Sequence, residues 1–192
     1  KISYTEFWRN GKMRNGRFPD SSFGKGKTHS FVDYGVKAGA LFKISGRHFI
    51  TGNVSFNTQS PLPYNAYISP RITENTVSNL ESEKIFSADI NYIFSTPSFT
   101  GRVSVFNTNF FDQIVRKSFY HDSQRTFLNH MLTGVDKTNR GIEVGVKYKL
   151  NNNWSFDLIG TVAEYYYANN PDGVLSLENG TSEDTYEKVY IK

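Results

Sequence analysis

The sequence predicts an all-β fold, an antiparallel sheet whose strands are long enough to cross a bilayer. Three observations carry this reading. Apolar and polar residues alternate with period two, which puts one face of each strand in an apolar environment and leaves the other mixed. The arms run to about ten residues or more, where a soluble strand is typically about 5–6 and a tilted bilayer-crossing strand about 9–11. The connections are tight at one end of the sheet and long at the other.

The elements follow in chain order. Ile2 to Arg9 is a short aromatic strand, and Asn10 to Thr28 a long basic loop. His29 to Ile44 carries Val32, Tyr34, Val36, Ala38, Ala40 and Phe42 on one side, and Ser45-Gly46-Arg47 turns it back into His48 to Asn57. Thr58 to Glu83 reads as a long loop. Its Pro61, Pro63 and Pro70 cannot donate to a ladder. Lys84 to Ser95 and Phe99 to about Gln113 flank a turn at Thr96-Pro97, and Ile114 to Lys137 reads as a third long connection. The clearest hairpin is Thr138 to Ala168. Ile142, Val144, Val146 and Tyr148 alternate with Glu143, Gly145 and Lys147; after Asn151-Asn152-Asn153, Trp154, Phe156, Leu158 and Val162 alternate with Ser155, Asp157 and Thr161. A fourth connection runs from about Asn169 to Thr185, and Val189-Tyr190-Ile191 starts an eighth strand.

Composition narrows the class. There is no cysteine, so neither a disulfide framework nor a thiolate metal site is available. The net charge of +4 comes from Lys and Arg scattered over strands and loops, not from the concentrated basic face of a nucleic-acid binder. Aromatic residues reach 16%, which favours strands. No run of about 18 apolar residues is present, which excludes a transmembrane helix but not a barrel strand. Lys1 is preceded by neither Met nor a leader, so the chain reads as a segment of something longer.

Aromatic residues also group by height. Phe42, Tyr92, Phe94, Phe99, Tyr148, Trp154 and Phe156 lie beside the tight turns, and Phe7, Trp8, Phe31, Tyr34, Phe56, Phe106, Phe110, Tyr165 and Tyr166 beside the long loops. Two girdles around an aliphatic band fit the two interfaces of a membrane, and short turns opposite long loops fit an outer-membrane barrel. On that reading Asp33, Lys37, Asp89, Arg102, Glu143 and Lys147 face the lumen.

The stretches 75–97, in which Asn79-Leu80 leads through Glu83-Lys84 into a strand, and 133–150, with Gly141-Ile142-Glu143 after a polar loop, resemble the barrel of TonB-dependent outer-membrane receptors. The stretch around Asn65 to Arg71 and the C-terminal EDTYEKVYIK resemble members from Bacteroidota, which often carry a carboxypeptidase-regulatory-like domain upstream. The resemblance implies that residues 1–192 are all barrel, about 7–8 strands of a 22-stranded wall, with the plug and TonB box not included. It implies energy-coupled uptake of a siderophore, vitamin, peptide or glycan through the bacterial outer membrane. The implied partners are outer-membrane lipid, the chain's own plug and missing strands, TonB through the plug, and a surface lipoprotein; no cofactor and no nucleic acid are implied.

The loops carry the candidate ligand contacts. Arg17, Arg71 and Arg125 suit anionic groups, and Tyr64, Asn65, Tyr67, Tyr120 and His121 suit sugars or chelator rings. No catalytic site is expected. His121-Asp122-Ser123 has hydrolase residue types, but adjacency in sequence does not build a triad. No metal site is expected either. The acidic residues Asp172, Glu178, Glu183, Asp184 and Glu187 lack EF-hand spacing and read as a solvated loop. The competing reading is a soluble β-sandwich that binds carbohydrate or protein at a surface.

Overall fold

The computed structural model describes residues 1–13, 18, 20–178 and 187–190, with backbone alone at 172 and 187–190. Seven strands follow one another as an antiparallel meander: β1 (Ile2–Phe7), β2 (His29–Lys43), β3 (His48–Gln59), β4 (Glu83–Ser95), β5 (Phe99–His121), β6 (Thr126–Lys149) and β7 (Ser155–Tyr167). A one-turn helix, α1 (Pro63–Ala66), sits in the loop between β3 and β4. Two short strands, β8 (Asp172–Leu177) and β9 (Glu187–Tyr190), complete the sheet, with β8 on β6 and β9 on β8.

The expected strands from β2 to β7 are all present, and the turns after β2, β4 and β6 are tight and close together. Ile44 N donates to His48 O at 3.0 Å, Thr96 N to Phe99 O at 2.7 Å, and Leu150 N to Trp154 O at 3.1 Å. The far end differs from expectation in one respect. Residues 114–137 are not a loop: β5 and β6 continue through them as a paired hairpin, from Val115↔Leu132 to His121↔Thr126. Its turn is four residues, Asp122 to Arg125, with Arg125 at φ 50°. At 23 and 24 residues the two strands would each span roughly 75–80 Å at about 3.3–3.4 Å per residue, well beyond a bilayer core of about 30 Å. Part of the expected fourth connection is likewise strand, since β8 prolongs the line of β7 along β6.

The long hairpin is bent where it leaves the lower sheet. The β5–β6 register shifts between Phe110 and Val115, Asp112 takes φ 59°, Gly134 takes φ 66°, and β7 breaks from β8 across residues 168–171. These irregularities lie side by side on three strands. Such bulges bend a sheet and leave ladder groups unpaired. Side chains fill the gap. Asp136 Oδ1 accepts Asp112 N at 3.2 Å, Asn169 Oδ1 accepts Asp136 N at 3.0 Å, and Asn169 Nδ2 donates to Gly134 O at 2.7 Å.

Above the bend, the 63–78 loop covers one face of the hairpin, and most of the buried residues are here. Ala66, Tyr67, Ile72, Val77, Met131 and Val135 are buried. A polar network joins loop to sheet: Asn129 Nδ2 reaches Ser69 Oγ at 3.3 Å and Glu178 Oε1 at 3.2 Å, and Ser69 Oγ meets Ser176 Oγ at 2.7 Å. Glu178 is buried and pairs with Arg71 at 3.3 Å, so the solvated role expected for it is corrected. Glu183 and Asp184 lie outside the described residues.

Below the bend there is no such cover. Val36, Ile90, Leu158 and Val162 are 64%, 64%, 72% and 81% exposed. Among the described residues all strands belong to one sheet and no second sheet packs on this face. A sandwich requires one, and the described residues supply none.

Candidate functional site

Register decides which residues share a face, because directly opposed residues on neighbouring strands point the same way. One row runs Phe42, Ile50, Tyr92, Val103, Val144, Gly160, and the next Ala40, Gly52, Ile90, Val105, Ile142, Val162. Between them lies a polar row on the other face: Leu41, Thr51, Asn91, Ser104, Glu143, Thr161. The two faces separate as the alternation requires, into a greasy wall and a polar one.

All six strand residues assigned to the lumen fall on the polar face. Asp33 is buried there, accepting Thr58 Oγ1 at 3.1 Å and Ser60 N at 2.9 Å. Asp89 accepts Asn53 Nδ2 at 2.9 Å and Asn91 Nδ2 at 2.6 Å, and Ser104 donates to Asn91 Oδ1. Arg102 meets Glu143 at 3.5 Å and Lys147 meets Asp157 at 3.7 Å. Lys37 stands exposed in the row Lys37, Ser55, Ser87, Thr108. Asn53, which completes the Asp89 cluster, was not singled out from sequence; its position in the period-two series was the available signal.

The Asp89 cluster depends on one glycine, Gly39, and the same contact recurs outside the cluster at Gly35. Asn53 and Asn57 lie flat over Gly39 and Gly35 of β2, so that a Cβ would come within 2.5 Å of Asn53 Oδ1 and 2.3 Å of Asn57 Oδ1. Gly39→Ala should therefore turn the Asn53 amide away and remove one of the two amide donors to Asp89, at a cost of about 1 kcal/mol. Chemical denaturation of the folded receptor checks the cost. An unchanged midpoint would show that the Asn53 contact contributes nothing.

The far aromatic girdle needs correction. Phe7, Phe31, Phe106, Phe110 and Tyr165 were grouped with it by height, but their registers put them on the polar side. Val103 and Val105 facing outward force Phe106 inward by the strand's period. Phe7 packs with Phe31 and Tyr67 in a small core. Tyr34, Phe56 and Tyr166 remain on the apolar face. That face also holds a charge pair the sequence did not reveal. Arg140 donates from Nε and Nη2 to Glu164 Oε2 at 3.0 and 2.9 Å, beneath the Tyr166 ring. The two charges cancel beside the aromatic end, where charge costs less than at mid-membrane.

The candidate loop residues divide into three groups. Arg17 lies outside the described residues. Tyr64, Asn65, Tyr67 and Arg71 belong to the covering loop. Arg116 lies 4.4 Å from the centre of the exposed Tyr64 ring and donates to the Tyr64 carbonyl at 3.1 Å. Asn65 lines a cavity of about 150 Å³ with Gln59, Glu83 and Gln113. Tyr67 is buried against Phe7 and His29, which gives it a packing role. Arg71 lies over Phe127 as well as against Glu178. Tyr120, His121 and Arg125 are at the hairpin tip, with Tyr120 edge-on to Phe127 at 5.5 Å and His121 Nδ1 3.0 Å from Ser123 Oγ. Phe127 thus links the tip to the covering loop. Asn129 and Arg116, which hold these elements together, were hidden from sequence because the stretch read as a loop.

No group of three or more metal-ligating side chains is found among the described residues. No curated protein and no solved structure gives a significant match to the chain. A family model described as TonB dependent receptor-like, beta-barrel, matches residues 10–187. The greasy and polar faces, the clustered tight turns and that match agree: the chain belongs to the β-barrel family of TonB-dependent receptors, transporters of the bacterial outer membrane.

Proposed function

We infer that this chain forms part of the wall of an energy-coupled importer, in which TonB acts through a plug to open a path for a scarce nutrient. The observation that supports this best is the continuous polar face carrying Asp33, Lys37, Asp89, Arg102, Glu143 and Lys147. In a closed barrel that face lines the lumen, where a polar plug and hydrated solute satisfy its groups. The plug and TonB box lie outside residues 1–192. The covering loop and hairpin tip face the outside, where Tyr64, Arg71, Tyr120, His121 and Arg125, with Arg17, capture ligand. A surface lipoprotein is the partner for that end.

The test is nutritional. A strain lacking the receptor and a strain lacking TonB are grown on a panel of iron chelates, cobalamin, peptides and glycans as limiting nutrients. The receptor mutant should fail on a subset of the nutrients that defeat the TonB mutant, and the intact gene should restore growth. Growth on every nutrient that requires TonB would overturn the proposal.

A further inference from the structure

Just above the bend, a cavity of about 490 Å³ opens between the upper hairpin and the end of β7. Ligand pockets typically measure about 300–1,000 Å³. Lys117, His130 and Leu132 of the hairpin line it on one side, and Tyr166, Tyr167 and Asn170 on the other. No carboxylate lines it among the described residues. The positive charge is reinforced from behind, since Lys137 Nζ lies 5.4 Å from the centre of the Tyr167 ring. Neither Lys117 nor Lys137 has an ion-pair partner among the described residues.

The His130 side chain of the lining carries one unsatisfied polar atom. His130 Nε2 is enclosed and has no hydrogen-bond partner. A buried polar group left unpaired in a folded protein calls for an explanation, and a bound group is one of them. Burial first, and Lys117 second, hold the His130 pKa below its ordinary value. The neighbouring Asn169 carboxamide is already committed to Asp136 N and Gly134 O, so it shapes the cavity without competing for its contents.

The geometry points to a binding subsite for a small organic anion built on a ring. The ring lies against Tyr166 and Tyr167, and the anionic group sits between Lys117 and His130. Rings stack on phenol faces, and ammonium and imidazole groups bind carboxylates with charge-assisted hydrogen bonds. This subsite rests on the reading that the upper end of the barrel faces the outside.

The probes are galacturonate and galactose, which share a ring and differ in the carboxylate. Binding to the intact receptor in nonionic detergent is followed by titration calorimetry. Galacturonate should bind saturably, at least tenfold tighter than galactose, and weaken as salt is raised. Lys117→Ala, His130→Phe and Tyr167→Ala should each weaken it by threefold or more. Equal affinity for the two sugars, no saturable binding, or wild-type affinity in all three variants would overturn the subsite. Displacement of a fluorescent anion by phosphatidylglycerol micelles but not by galacturonate would place the anion on a lipid and overturn it too. Loss of galacturonate binding with nutrient uptake intact would sink the subsite alone, whereas intact binding without TonB-dependent growth would sink the transport reading.

Discussion

Val103→Arg should block assembly of the barrel, while Arg102→Val at the adjacent position should be tolerated. Val103 lies in the apolar row with Ile50, Tyr92 and Val144. A guanidinium there has no polar neighbour along the row apart from the Tyr92 hydroxyl. Charge on the lipid face costs about 2–4 kcal/mol at the membrane midplane, roughly a 30- to 1,000-fold shift in a folding equilibrium at about 1.4 kcal/mol per tenfold. Arg102 points the opposite way. Its removal leaves Glu143 without a partner at 3.5 Å, but both side chains are about half exposed, and such pairs contribute about 0–1 kcal/mol. The measurement is the fraction of heat-modifiable, folded receptor in isolated outer membranes. Normal assembly of Val103→Arg beside failure of Arg102→Val would mean that the two faces are assigned the wrong way round.

The separation of faces was legible because it needs only period two, and a strand cannot evade that period without a bulge. The β2, β3, β4 and β7 series kept it through the bilayer-length portion, so the alternation that groups Val36 with Ala38 and Leu158 with Val162 is also the grouping by face in the sheet. Distance along a strand proved a poor guide to facing. Phe106 lies at the height of the far girdle yet on the polar side, because height changes smoothly along a strand and facing flips at every residue. The upper hairpin was missed for a related reason. The positive φ of Asp112 and Gly134 and the register shifts near Gln113 interrupt the alternation where a reader of sequence expects a strand to end. Past the bend, burial is set by the covering loop, whose Ser69 lies 60 residues before Asn129 in the chain. No local pattern announces that Asn129 will be enclosed by Ser69, or that Glu178 will be drawn in by Arg71. The ligand-contact residues share this limit, since the loop packing that brought Tyr64 to Arg116 and Arg71 to Phe127 is equally non-local.

Gly141→Ala should be the most damaging single methyl in the wall, and Gly145→Ala, two pleat repeats away on the same strand, should be nearly silent. Both glycines lie on the polar face of β6 with ordinary backbone angles, so the difference is one of space. A Cβ at Gly141 would lie 2.6 Å from Val162 O, 2.7 Å from Ala163 Cβ and 2.9 Å from Ala163 Cα; at Gly145 nothing lies within 4 Å. Two of the three contacts are backbone atoms of β7, which cannot turn aside as a long side chain can. Relief requires β7 to move away from β6 around the Gly141↔Ala163 pair, and overpacking of this kind costs about 1–3 kcal/mol. Ala163→Gly should restore part of the loss by removing the Cβ contact, but not all of it, because the Val162 carbonyl stays in place. Urea denaturation of the four proteins in detergent would show wild type and Gly145→Ala together, Gly141→Ala well below, and the Gly141→Ala/Ala163→Gly pair between. If Gly141→Ala unfolded with Gly145→Ala, the close approach of β6 and β7 would not be a constraint on the wall, and the glycine at 141 would need another explanation.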